Sequence, residues 1–199
     1  MNFVIEHDRG SSMRLGLILA AMLGLAACDS GNVPTPTEQQ TLRPPSAEAE
    51  AGAVALNGEG LSAGPEAFYF AAGKIEVETA LESVLGEPTG SGINRECGAG
   101  AIEFTDYGAG LTVSFMEGSM VGWFWRLPLD GDPPAQAEIS LVGDLQLGAP
   151  QAEAEAADGF DLIEESTLDG EFSLGDKIGG FLESEQVSML YAGTQCFFR

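Results

Sequence analysis

Histidine is almost absent from this chain: His7 is the only one in 199 residues. Everything downstream of it therefore lacks imidazole general bases, His-ligated metal sites and every Ser-His-Asp or Cys-His arrangement. Positive charge is scarce as well, with 8 Lys and Arg against 31 Asp and Glu and a net charge of −23. Such a surface repels nucleic acid and anionic lipid headgroups, which excludes both as general partners. No apolar run is long enough to span a bilayer; the longest candidate, Leu15 to Leu25, has the length of a signal-peptide core instead. Cysteine is limited to Cys28, Cys97 and Cys196.

The apolar run ends in an informative tetrapeptide. Leu25-Ala26-Ala27-Cys28 has the form of a lipoprotein signal, a leucine and two small residues ahead of a cysteine that becomes the lipidated first residue. The polar stretch from Met1 to Ser12, with Glu6, His7 and Asp8, is unlike a cationic leader, whereas Met13-Arg14 directly before Leu15 is a conventional one. Met13 is therefore the expected initiator. Cleavage after residue 27 discards the lone histidine, and it removes equal numbers of basic and acidic residues, so the mature chain keeps its full acidity. Acylated Cys28 is expected to hold the protein to membrane lipid in the bacterial cell envelope, facing the periplasm. Asp29 behind it leaves inner and outer membranes both open.

Assigning Cys28 to lipid leaves Cys97 and Cys196 as an even pair in an oxidising compartment, where two thiols pair. The alternative is two separate buried thiols. A bond would close a loop of about 100 residues, about 4–5 kcal/mol in the chain-entropy description. It would tie the C-terminus to the middle of the domain.

Asp29 to Ala55 is rich in Pro, Thr, Ser, Glu and Ala without apolar periodicity, so residues 28–56 read as the lipidated cysteine and a disordered tether. Residues 57–199 read as a single α+β domain. Val77, Ala80, Leu81, Val84 and Leu85 mark one face of a helix that Gly86 and Pro88 end. The period then changes to two. Ile102 and Phe104 alternate with polar neighbours, and Tyr107 to Gly110 turns the chain. Leu111, Val113 and Phe115 form an inward face, Glu117-Gly118-Ser119 makes a hairpin turn, and Val121, Trp123, Trp125 and Leu127 share one face.

After Pro133-Pro134 comes a weaker version of this order: a short strand or lead-in at Ile139 to Val142, a short helix at Gln151 to Ala157, and strand-like stretches at 160–164, 170–174, 178–183 and 187–191. Leu111 to Trp125 and Ile178 to Ala192 are each fifteen residues of strand, acidic turn and strand. They read as an internal duplication with halves near 57–134 and 135–199.

The segment from Ile75 to Pro88, with its V-x-x-x-L-G-x-P ending, resembles the opening helix of small barrel-assembly-machinery lipoproteins and of the β-lactamase-inhibitor-protein fold. In the second half Leu147-Gly148-Ala149-Pro150 precedes the helix rather than ending it. The resemblance implies two tandem helix-plus-antiparallel-meander units, inhibitor-protein-like. The chain is also similar to a group of bacterial lipoproteins carrying E-C-G-A-G (Glu96 to Gly100) and A-G-T-x-C-x-x-R (Ala192 to Arg199), a likeness that implies no chemistry.

Gly60-Leu61-Ser62-Ala63-Gly64 matches a nucleophile elbow in letters, but no strand-to-helix context or histidine supports Ser62, and neither lysine lies in an S-x-x-K. Glu96, Glu103, Asp106, Glu117 and Glu171 are available for carboxylate-based hydrolysis, although a chance pair is expected among so many acids. Asp130-Gly131-Asp132 lacks the later ligands of a calcium loop. No metal or cofactor is expected. Trp123 and Trp125 are the binding candidates: if the helix covers the Phe124 face, both tryptophans lie open as an interaction surface. The alternative is that they fill the core. The expected function is a non-catalytic protein-binding or envelope-assembly lipoprotein. A small carboxylate-based envelope hydrolase and an inhibitor of a periplasmic enzyme are the alternatives.

Overall fold

A computed structural model describes residues 52–143 and 145–197. The expected signal peptide, Cys28 and most of the expected tether lie outside the described residues. The segment expected to be disordered up to residue 56 overlaps the first strand. Ala53–Asn57 is already a strand, β1, and its alternation buries Val54 and Leu56 completely. It pairs with β2 (Gly60–Ala63), which pairs with β3 (Glu66–Tyr69). The chain then enters α1 (Lys74–Leu85), which buries Val77, Ala80, Leu81 and Leu85 as the helical periodicity requires. Gly86, at φ 89°, stops it, its N–H bonding back to the Glu82 carbonyl.

A meander comes next: β4 (Gly90–Asn94), β5 (Ile102–Asp106), β6 (Leu111–Met116) and β7 (Ser119–Arg126), each antiparallel to its neighbour. Beyond it, β8 (Glu138–Leu141) returns to lie parallel to β1. After α2 (Gln151–Ala156) come β9 (Phe160–Leu162), β10 (Glu171–Leu174), β11 (Ile178–Glu183) and β12 (Gln186–Gly193). The result is β-rich α+β, with a four-stranded sheet ordered β3-β2-β1-β8 and an eight-stranded sheet ordered β4-β5-β6-β7-β12-β11-β10-β9. The large sheet is antiparallel throughout, and β7 and β12 meet at its centre. Among the described residues no helix is long and apolar enough to cross a membrane.

Several local geometries occur twice. The β6–β7 and β11–β12 hairpins both turn through two residues of positive φ, Glu117 and Gly118 in one, Ser184 and Glu185 in the other, the geometry whose twist matches paired strands. Each hairpin shifts register at the same place, between Ser114 and Phe115 and between Phe181 and Leu182. The first backbone N–H of each helix bonds to a hairpin-tip carbonyl, Lys74 to Gly118 and Gln151 to Glu185, both at 2.8 Å. Neither helix has a side-chain cap, so these bonds take over that work at one orphan donor.

The bulge corrects one expected face. It places Met120, fully buried, on the inward side and turns Val121 off it, because the extra residue changes the parity of the strand. Trp123, Trp125, Val113, Leu111 and Phe115 stay inward, joined by Leu190 and Ala192 from β12. They form one core with Val54, Leu56 and Leu61 of the small sheet and Val77 and Leu81 of α1.

Candidate functional site on the open face of the large sheet

The structure corrects the tryptophan surface expected from the sequence. Trp123 is 0% exposed and Trp125 is 8% exposed; both belong to the core. The small sheet covers their side: Trp123 Nε1 donates to the carbonyls of Asn57 and Gly60 at 3.0 and 2.9 Å, bridging from β7 to the β1–β2 turn. Trp125 Nε1 donates to the Ala109 carbonyl at 3.1 Å. The helix and small sheet therefore lie against the tryptophan face, while among the described residues the Phe124 face carries only the tail segment, over a floor in which Ile102, Thr112 and Ser114 are themselves buried.

On that opposite face the register lines up two rows across β5, β6 and β7. One runs Asp106, Thr112, Phe124, and the other runs Phe104, Ser114, Gly122. The middle strand presents only Thr112 and Ser114 between the two phenylalanines, and this contrast in size leaves a hollow. Its volume is about 350 Å³, and Ile102, Asn94 and the tail residues Gln195 to Phe197 complete its wall. Glycine on the edge strand makes room for the rings: a Cβ at Gly92 would meet the Phe104 ring at 2.7 Å.

The tail is held over this face at three points. Gln195 Nε2 donates to the Trp123 and Ala192 carbonyls at 2.9 and 2.8 Å, directly over Gly122, where a Cβ would sit 2.9 Å from that nitrogen. Cys196 joins Cys97, with Cα atoms 5.2 Å apart and a separation of 99 residues in sequence. Phe197 packs edge-on against Phe181 and Tyr191, with ring centroids 5.2 and 4.9 Å apart. The expected cysteine pair thus straps the C-terminal segment to the loop before β5.

Of the carboxylates singled out from sequence, three are engaged, each with different partners. Glu103 holds Lys74 at 2.6 Å, and that ammonium also lies 5.4 Å from the centre of the Phe115 ring. Glu171 is buried and accepts from the Tyr191 hydroxyl at 2.7 Å and from the Ser166 hydroxyl. Asp106 accepts from Thr112 Oγ1 at 2.6 Å in the hollow. Glu117 sits at a hairpin tip, and Glu96 lies exposed before Cys97. Ser62 lies within β2, paired with Ala55 and Ala67, not on a strand-to-helix turn.

Asp132 binds Arg126 at 2.6 Å and accepts from the Leu129 N–H. The guanidinium first, then that N–H, hold its carboxyl below the ordinary value. Among the described residues no group of three or more His, Cys, Asp or Glu is placed to hold a metal ion.

No protein-family model, curated protein or solved structure matches this chain. Sequence reasoning does not bring Phe104, Phe124, Asp106 and the tail together as the walls of one hollow. Alternation already sets Phe124 apart from the tryptophans. It does not encode which of the two faces another layer will cover.

Proposed function

We propose that this protein is a lipid-anchored lipoprotein of the bacterial cell envelope, and that it works as a non-catalytic docking module for another envelope protein. Acylated Cys28 provides the anchor, and the segment behind it gives reach. The open face of the large sheet, centred on Phe104 and Phe124, is the docking surface. The observation that carries this is the hollow itself: an apolar recess between two aromatic side chains on a sheet face that neither helix nor the second sheet covers. Aromatic anchors in recesses of this kind dominate protein–protein binding energies. The fitting partner is one that presents basic and apolar residues, because a chain with a net charge of −23 steers basic surfaces toward it.

The domain is read as two tandem helix-plus-meander units, inhibitor-protein-like, joined through β7 and β12. Supporting this are the matched positive-φ turns and the matched bulges, which recur at one constant spacing across both hairpins, and the bond from the first N–H of each helix to a hairpin tip. The same architecture favours a second reading, inhibition of a periplasmic enzyme, in which the docked protein is that enzyme.

Two experiments test the proposal. Metabolic palmitate labelling is expected to mark the wild type and to disappear in Cys28→Ser, with release of the protein from membranes; labelling unchanged in that variant contradicts the anchor. Affinity purification from detergent-solubilised envelopes is expected to lose its stoichiometric partner in Phe124→Ala at unchanged protein level. Retention of that partner in both Phe124→Ala and Phe104→Ala would refute the docking surface.

A further inference from the structure

We propose that the hollow beside Asp106 receives a cationic side chain, arginine or lysine, from the docked partner. This rests on the docking reading above and specifies its chemistry. Three features converge on a cation. Phe104, Phe124 and Phe197 border the space, and the faces of aromatic rings attract ammonium and guanidinium groups. Asp106 supplies a carboxylate in the same wall. Thr112 takes its Oδ1 at 2.6 Å, while Oδ2 faces Gly90, where a Cβ would come within 3.1 Å. A side chain on that edge position would crowd the second oxygen, and glycine leaves it approachable.

Three of the four basic residues among those described are held in ion pairs away from the hollow, and the fourth, Arg95, follows the wall residue Asn94 and is exposed. Among the described residues Lys74 is held by Glu103, Arg126 by Asp132 and Lys177 by Glu59. An uncharged apolar plug in the hollow would strip water from Asp106 without compensating its charge, which is costly. An anionic group would add repulsion in an already acidic molecule. A guanidinium satisfies both demands, donating to the carboxylate while stacking its plane on a ring. The cavity of about 350 Å³ accommodates one long side chain rather than a folded element.

The test is an NMR titration of the full-length lipoprotein in detergent micelles with Nα-acetyl-arginine methylamide, beside its neutral citrulline counterpart. Saturable shifts confined to Phe104, Thr112 and Phe124 are expected with the arginine probe. The citrulline probe and the Asp106→Asn variant are each expected to bind at least about fivefold more weakly, the difference between a charge-assisted and a neutral hydrogen bond. Asn at 106 still accepts from Thr112, so the fold is preserved. Phe124→Leu keeps apolar volume without a ring and is expected to weaken binding about threefold.

Equal affinity for citrulline, unchanged affinity in Asp106→Asn, or shifts spread over the acidic surface would each overturn the assignment. If no arginine binding is seen while partner capture still depends on Phe124, the cation site falls and the docking face stands. If Asp106-dependent arginine binding persists while partner capture ignores Phe124, the docking reading falls and the site stands.

Discussion

Replacing Trp123 separates a core role from a binding role. The indole is fully buried, and its N–H is shared between the Asn57 and Gly60 carbonyls, so it is both filler and fastener between the two sheets. Trp123→Ala leaves a large cavity, about 3–5 kcal/mol for an aromatic-to-alanine change, and the lost donor pushes the cost to the upper end. Trp123→Phe keeps most of the volume but removes the donor, and is expected to cost about 1–3 kcal/mol. Phe124→Ala acts on the open face at a half-buried position and is expected to cost about 1–2 kcal/mol.

For a folded domain of about 150 residues, each kcal/mol moves Tm by about 4 °C. The Tm read by near-ultraviolet circular dichroism should therefore fall by about 15–20 °C in Trp123→Ala and by less than about 8 °C in Phe124→Ala. The partner should be retained by Trp123→Phe and lost by Phe124→Ala. Similar Tm losses in the two alanine variants, or partner loss in Trp123→Phe with retention in Phe124→Ala, would refute the assignment of the faces.

Three further outcomes rest on named contacts. Cys97→Ser with Cys196→Ser opens a loop spanning 99 residues and is expected to cost about 2–4 kcal/mol in urea unfolding, an effect that adding reductant to the wild type should reproduce. The Tyr107 hydroxyl is buried and has no hydrogen-bond partner among the described residues, so Tyr107→Phe is expected to be neutral or stabilising in the same assay. Burial first, then Glu78 and Glu82, push that phenol's pKa above its ordinary 10.0. A group raised in this way contributes stability that is intact below its unfolded value and fades as pH rises through the folded one, so Tyr107→Phe should also flatten alkaline unfolding. The Asp132 carboxyl, held low chiefly by Arg126, should titrate by NMR with a midpoint below 3.8. Its contribution is present above the unfolded value and is lost as pH falls through the folded one, and Arg126→Gln should bring the midpoint back toward 3.8.

The parts of this fold that are legible in the sequence are those whose partners are near in sequence. The α1 helix announces itself through Val77, Ala80, Leu81 and Leu85 and through Gly86 and Pro88. The β6–β7 and β11–β12 hairpins do so through alternation around short turns.

The strands hidden from sequence reasoning are dominated by small residues. Residues 53–56 share the alanine-rich composition of the segment before them, so only burial under the large sheet distinguishes Val54 and Leu56. The edge strand β4, Gly90-Ser91-Gly92-Ile93-Asn94, carries no alternating apolar signal, because its glycines are set by what lies over them, Asp106 and the Phe104 ring. The candidate site is illegible for a related reason. A period of two says that Trp123 and Trp125 share a face and Phe124 has the other, but the choice of covered face belongs to β1–β3 and α1, far away in sequence. The bulge adds a second failure, since one extra residue turns Val121 away from the core.

The central claim is that the open face of the eight-stranded sheet is where this protein meets its partner. A photoreactive residue placed in turn at 104 and 124 on that face, at 69 on the small sheet and at 75 on α1, with irradiation of intact cells, tests it most directly. Tyr69 and Ile75 are well exposed, so those control positions can reach a neighbour. One common adduct from positions 104 and 124, absent from 69 and 75, is the predicted result. Adducts from 69 or 75 with none from 104 and 124 would contradict the account.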